Sequence, residues 1–282
     1  MTASSTLPSA QQLVDLAHKA GLAILDVYET DFEVMDKADD SPLTQADLAA
    51  HRVLVAGLAE LTPDIPVLSE EEKAPEFAVR KSWSRYWIID PLDGTKEFVN
   101  RNGEFTVNVA LIDGHQSVLG VVGVPVQDRV FFGDVKAGTA TLYADGKQTP
   151  LQGRKAAQQI ADKGSVTAVA SRSHGGERLE AYLDAVGVEF GGLDRKPMGS
   201  SLKLCTLAEG EADLYPRLGP TSEWDIAAAD AVLAAAGGSV LTFDGKPLQY
   251  NTKDSLLNPE FLALGDSSYD WMSRLPRYQE PK

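Results

Sequence analysis

A chain of 282 residues with 43% hydrophobic content can bury a sizeable core and reads as one compact unit with two lobes. Its net charge of −15 excludes a general basic surface, so neither a nucleic-acid polymer nor an anionic membrane is expected as partner; an anionic small substrate would need local cations, which bound metal could supply. The single cysteine, Cys205, excludes an intramolecular disulfide and reads as a small buried apolar residue of "SLKLCTLAEG".

The first residues, "MTASSTLPSAQQ", lack a basic stretch followed by an apolar core, so no secretory signal is expected. No run of about 18 apolar residues is present to span a membrane. A reducing, cytoplasmic setting follows. Ser9 and Gln12 then fit a capping box, and Leu13, Leu16, Ala17, Ala20, Ile24 and Val27 recur at helical spacing. A second helix starts near Thr44 in "SPLTQADLAAHRVLVAGLAEL". "IPVLSEEE" is a short strand ending in acid, and "SRYWIID" is a mostly apolar and therefore central strand.

From Phe105 to Leu111 the apolar residues alternate with Thr106, Asn108 and Ala110, the two-residue period of a strand. Asp113-Gly114 and Asp145-Gly146 mark tight turns in the strands that follow. The first half is therefore two helices beside an antiparallel meander. Residues 152–164 are polar and mark the lobe boundary. Beyond them strands at "SVTAVAS", "VEFGG", "ADLYPRL" and "SVLTF" alternate with helices at "GGERLEAYLDAVG", "GSSLKLCTLAEG" and "SEWDIAAADAVLAAAGG", which implies an α/β lobe.

Four acidic elements stand out, and each has an ordinary structural explanation. Glu70-Glu71-Glu72 reads as a solvated face, and "DPLDGT" (residues 90–95) as turn chemistry. Asp47 sits three residues after an N-cap Thr44, and Asp225 lies near a helix start. Yet Glu70, Asp90 and Asp225 all fall at the ends of regular elements, where crevices form. Converging carboxylates raise each other's pKa unless a cation intervenes, and oxygen ligands without thiolate or imidazole point to Mg²⁺. Asp90 and Asp93 can face one site across Pro91-Leu92, which exposes the Leu92 carbonyl as a further oxygen ligand. The amides of Gly94 and Thr95, if they open a helix or turn, could bind a phosphate oxygen.

"WIIDPLDGTKEF" followed by "WDIAAADAVLAAAGG" resembles the inositol monophosphatase superfamily of Mg²⁺-dependent, lithium-sensitive phosphatases. The family pattern of an acid after a strand, then D-P-hydrophobic-D-G-T, then W-D-x-A-A closed by A-G-G is present in order, and the resemblance spans residues 9–265. "DGTKEF", "GSSLKLCTLAEGEADLYPRLGPTSEWD", "SPLTQADLAAH", "VLSEE", "RNGEFTVNVALID" and "SRSH" look most like the bacterial 3'(2'),5'-bisphosphate nucleotidases of sulfate assimilation. Inositol monophosphatases usually carry Thr-Asn where this chain has Lys96-Glu97.

The resemblance implies a layered α-β-α-β-α sandwich, with residues 1–155 an N-terminal α+β lobe, 156–282 a C-terminal α/β lobe, and the metal site between them. It makes Glu70, Asp90 and the Leu92 carbonyl ligands of one Mg²⁺, and Asp90, Asp93 and Asp225 ligands of a second; a third, weaker ion would touch Glu70. Asp47 and Thr95 resemble the pair that orients and deprotonates the nucleophilic water. Around the substrate phosphate the implied set is Glu70, Leu92, Asp93, Gly94, Thr95 and Asp225. Ser171, His174, Gly199 and Lys203 are implied as contacts to the rest of the nucleotide, and Arg217 is a further cation near the site. The expected substrate is adenosine 3',5'-bisphosphate (PAP), cleaved to AMP and phosphate, with its sulfonated precursor PAPS a second candidate. Rival readings are an inositol-phosphate or other small sugar-phosphate phosphatase and, from another class, a nucleotide sensor without turnover. Oligomeric state stays undetermined, and peripheral attachment to the inner membrane stays open.

Overall fold

The computed structural model describes residues 7–30, 34–36, 42–171 and 176–278. Helix α1 (Ala10–Tyr28) starts at the expected Ser9–Gln12 capping box, and β1 (Val34–Asp36) pairs antiparallel with β2 (Pro42–Thr44). Helix α2 (Gln45–Leu61) starts at a second box, Thr44–Asp47. Then follow β3 (Val67–Ser69), α3 (Phe77–Arg80), β4 (Arg85–Asp93), α4 (Thr95–Val99) and β5 (Thr106–Asp113). The meander continues through β6 (Gln116–Val124), β7 (Arg129–Asp134), β8 (Thr139–Ala144) and β9 (Lys147–Pro150). These strands form a seven-stranded sheet in the order β3-β4-β5-β6-β7-β8-β9. Strand β4 is interior as expected, parallel to β3 and antiparallel to β5.

In the polar boundary segment, residues 156–163 form a helix, α5 (Ala156–Lys163). After it come β10 (Val166–Ser171), α6 (Glu177–Phe190), β11 (Leu193–Met198), α7 (Leu202–Ala208) and β12 (Leu214–Arg217). The chain ends with α8 (Glu223–Ala235), β13 (Ser239–Thr242), β14 (Phe261–Leu264) and α9 (Trp271–Arg274). The second sheet has five strands in the order β11-β10-β12-β14-β13. The strand expected at "VEFGG" is instead the last turn of α6. Leu179, Leu183, Val186 and Phe190 continue one buried helical stripe, and Gly191 closes it in the left-handed region at φ 78°.

Both faces of the sheet are buried across β4–β7, while β9 is exposed. Trp87, Ile89, Val107, Val109 and Val121 pack with α1 and α2 residues such as Ile24 and Leu54. Tyr86, Ile88, Ala110 and Val122 face α7 and α8, and the same core continues into Val169, Tyr215 and Ala263 of the second sheet. The far face of that sheet packs on α5, α6 and α9. The order is helices, sheet, helices, sheet, helices, which is the expected sandwich. Among the described residues, no helix is long and apolar enough to cross a membrane.

Helix α8, from the second half of the sequence, lies directly on the first sheet. A Cβ at Gly120 would stand 2.0 Å from the Ala228 carbonyl oxygen, and one at Gly133 would stand 2.5 Å from the Cα of Val232. Glycine on the strands and the alanines of "DIAAADAVLAAA" together allow this approach. It fixes where the first turn of α8, with Asp225, meets the end of β4.

Candidate active site

The "DPLD" stretch is a bulge inside β4 and not a turn that ends the strand. Asp90 pairs with Asn108 and Asp93 with Thr106, so Pro91 and Leu92 together oppose the single residue Val107. In a regular strand, residues three apart point to opposite faces; the extra residue cancels that and puts both aspartates on the α8 face. Pro91 explains the bulge, because it has no N–H to give the ladder. The Leu92 N–H turns inward and donates to Asp90 Oδ1 at 3.0 Å. Gly94, at φ 94°, then lets the chain enter α4 with Thr95 as its first residue.

Asp47 and Thr95 meet as expected. The Thr95 hydroxyl donates to Asp47 Oδ1 at 3.4 Å and lies 3.5 Å from the Leu92 carbonyl. Asp47 Oδ2 accepts the Thr44 N–H at 2.8 Å and the Thr44 hydroxyl at 2.6 Å. The helix-cap role and the partner role thus coexist on one carboxylate.

The cluster carboxylates feel each other. Burial pushes Asp90 well above the usual carboxylate range, and the charges of Glu70, Asp93 and Asp225 push it further. Burial raises Asp93 to about 6, against the opposing pull of Lys203 and of the Ser201 N–H. Asp225 is raised to about 8 by burial and by Asp93, while the Ser222 N–H, 2.9 Å from its Oδ2, acts the other way. Glu70 hydrogen-bonds Asp90 through its side chain. Among the described residues, no three acidic, histidine or cysteine side chains close around a common point as a finished cage. Carboxylates crowded like this hold protons until a cation offsets their charge, and this all-oxygen donor set fits Mg²⁺.

In front of the cluster lies a cleft of about 300 Å³, lined by Asp93, Thr95, Lys203, Tyr215, Arg217 and Asp225 among others. Gly94 and Gly199 also line it, as do Lys96 and Glu97. Asp47 and Asp90 are almost fully buried and do not line it. Lys203 Nζ donates to the Ser200 carbonyl at 2.7 Å and sits 5.6 Å from the centre of the Tyr215 ring. Arg217 is held by the carbonyls of Gly219 and Pro220. Ser171 ends β10 opposite Met198, and His174 lies outside the described residues.

Several partners escape sequence reading. Ser201 holds the N-cap position of α7, but its hydroxyl does not cap. It meets Thr106 and Asn108 of β5, each at 2.8 Å, while its N–H donates to Asp93 Oδ2 at 2.5 Å. Glu104 accepts the Gly199 N–H at 2.8 Å. The first half of the chain therefore grips the 199–201 turn of the second half through two carboxylates. The alternation of Thr106 and Asn108 in β5 is the signal that could have exposed this face.

The inositol monophosphatase family profile matches residues 7–269. The chain is 48% identical over 252 residues to the 3'(2'),5'-bisphosphate nucleotidase CysQ of Escherichia coli K12, covering 89% of this chain and 97% of that protein. It is 34% identical over 267 residues to the Haemophilus influenzae enzyme of the same name, covering 93% and 94%. The crystal structure of Bacteroides thetaiotaomicron CysQ, a bacterial member of that family, aligns with a TM-score of 0.77 at 42% identity, over 90% of this chain and 96% of that one.

Proposed function

The chain belongs to the inositol monophosphatase family, and on that premise we propose that it is a Mg²⁺-dependent 3'(2'),5'-bisphosphate nucleotidase that cleaves the 3'-phosphate of PAP to give AMP and phosphate, in support of sulfate assimilation. One observation carries the reading. The Thr95–Asp47 pair stands beside mutually repelling aspartates at a cleft that also presents Lys203 and Arg217.

Glu70, Asp90 and the Leu92 carbonyl would hold one ion, and Asp90, Asp93 and Asp225 a second. Bound Mg²⁺ supplies Lewis acidity, which makes water a better nucleophile and offsets charge on the phosphoryl oxygens. Thr95 orients the attacking water and passes its proton to Asp47 Oδ1, while the Thr44 bonds hold Oδ2 still. The long 3.4 Å contact is of the kind that tightens once substrate is bound. Lys203 and Arg217 offset the phosphate that is not cleaved. The bulge supports this division of labour by placing Asp90 and Asp93 on one face.

Phosphate release from PAP, PAPS and inositol 1-phosphate, measured side by side with Mg²⁺, tests the proposal. A clear preference for PAP is expected. Faster turnover of inositol 1-phosphate would assign the cleft to sugar-alcohol phosphates.

A further inference from the structure

A buried polar network joins the two segments that lead to Glu70 and Asp225. Glu223 opens α8, two residues before Asp225, and both of its carboxylate oxygens accept the Asn251 N–H, at 3.0 and 2.9 Å. Asn251 sits in the left-handed region at φ 55°. Its side-chain amide then exchanges two bonds with Arg80. Oδ1 accepts from Nη1 at 2.5 Å, and Nδ2 donates to the Arg80 carbonyl at 2.7 Å. Arg80 also donates to the carbonyls of Lys253 and Asp254. It is the last residue of α3, the helix that follows the Glu70 segment. A backbone bond from Glu223 N–H to the Leu256 carbonyl, at 2.8 Å, ties the same 251–256 stretch to the start of α8.

Arg80, Asn251 and Glu223 are 2%, 2% and 1% exposed. Burying a guanidinium and a carboxylate costs more than filling the same space with apolar side chains. What the polar version adds is direction, since each bond fixes an angle as well as a distance. None of the three residues lines the cleft. The network is instead tied to the cluster through the chain, since Glu223 stands two residues before Asp225 and Arg80 ten residues after Glu70.

We infer that Glu223, Asn251 and Arg80 are positioning residues that set the Glu70 segment and the first turn of α8 in register, and so tune the affinity of the acidic cluster for Mg²⁺. The inference rests on the reading of that cluster as the Mg²⁺ site. Without the amide bridge α8 would keep its apolar packing, but α3, whose one buried residue is Arg80, would lose its register to α8, and ion binding would then have to supply the ordering.

Asn251→Gly isolates the bridge, because glycine keeps the left-handed backbone and the N–H that Glu223 accepts. The readout is the melting midpoint of the metal-free protein titrated with MgCl₂, which reports binding without activity. Asn251→Gly should need about tenfold more Mg²⁺ to reach the same rise in midpoint as wild type, the scale of losing an outer-shell partner. Glu223→Gln keeps an acceptor oxygen and should stay within about threefold of wild type. Should Asn251→Gly fail to fold, Arg80→Lys removes the Nη1 bond to Asn251 while leaving the one to the backbone carbonyl, and should shift the Mg²⁺ requirement in the same direction by at least about threefold. A wild-type Mg²⁺ dependence in a folded bridge variant, whatever its metal-free midpoint, would make the network purely structural and overturn the inference. A wild-type protein whose midpoint does not respond to Mg²⁺ would overturn the metal reading and the inference together.

Discussion

The hydroxyl of Thr95 lies 3.4 Å from one oxygen of Asp47, whose other oxygen caps the helix that carries it. In the proposed mechanism Asp47 is thereby anchored through one oxygen and presented to Thr95 through the other. Thr95→Ala should lower kcat by about 10²–10⁴, the range for general acid–base assistance, and change KM for PAP by much less. A variant with only a raised KM would make Thr95 a phosphate ligand.

Asp93→Asn should cost at least about 10²–10³ in kcat. The fold should survive, because an amide oxygen can still accept the Ser201 N–H. Steady-state kinetics with PAP and a thermal melt check both halves of this expectation, and an unchanged turnover number would return the bulge to a purely structural role.

Metal-free stability should depend on pH through the cluster. Asp93 and Asp225 ionise near 3.8 when unexceptional, but the fold holds their protons to about 6 and about 8. A raised carboxyl pKa favours the fold fully below the unfolded value, and that contribution is lost as pH rises through the folded values. Metal-free Asp225→Asn should therefore gain in melting temperature over wild type as pH climbs from about 4 to about 8. A difference that does not vary with pH would contradict the crowding of these carboxylates. Excess EDTA should abolish phosphate release from PAP.

Lys203→Ala should weaken kcat/KM for PAP by about 1–3 kcal/mol, the range for a hydrogen bond to a charged group. 3'-AMP, which lacks the second phosphate, should change much less. Equal losses on both substrates would mean that Lys203 acts through its charge on Asp93 and its bond to the Ser200 carbonyl.

Gly120→Ala should destabilise by at least about 1–3 kcal/mol, because backbone and not a flexible side chain would have to yield to the new methyl group. Thermal or urea unfolding measures this. A tolerated alanine would show that α8 can lift from the sheet without cost.

The helix starts at Ser9 and Thr44, the meander with its Asp-Gly turns and the fold class were legible because they depend on residues near each other in the chain. Acids near element ends also suggested that Glu70, Asp90, Asp93 and Asp225 converge, and they do, although Asp90 lies inside β4 and not at its end. The end of α6 was misread because a short apolar run such as "VEF" suits strand and helix alike until its packing partners are known. The aspartates of "DPLD" share a face only because β5 supplies one residue against two, which a single strand cannot reveal. The grip of Asp93 and Glu104 on residues 199–201, the second role of Ser201 and the Arg80–Asn251–Glu223 network all join residues about 95 or more positions apart, except for the 28-residue step from Glu223 to Asn251. Sequence determined which groups could do chemistry, because side-chain charge and local turn geometry travel with the chain. Tertiary structure decided which of them meet, because burial and hydrogen-bond geometry exist only once distant segments pack.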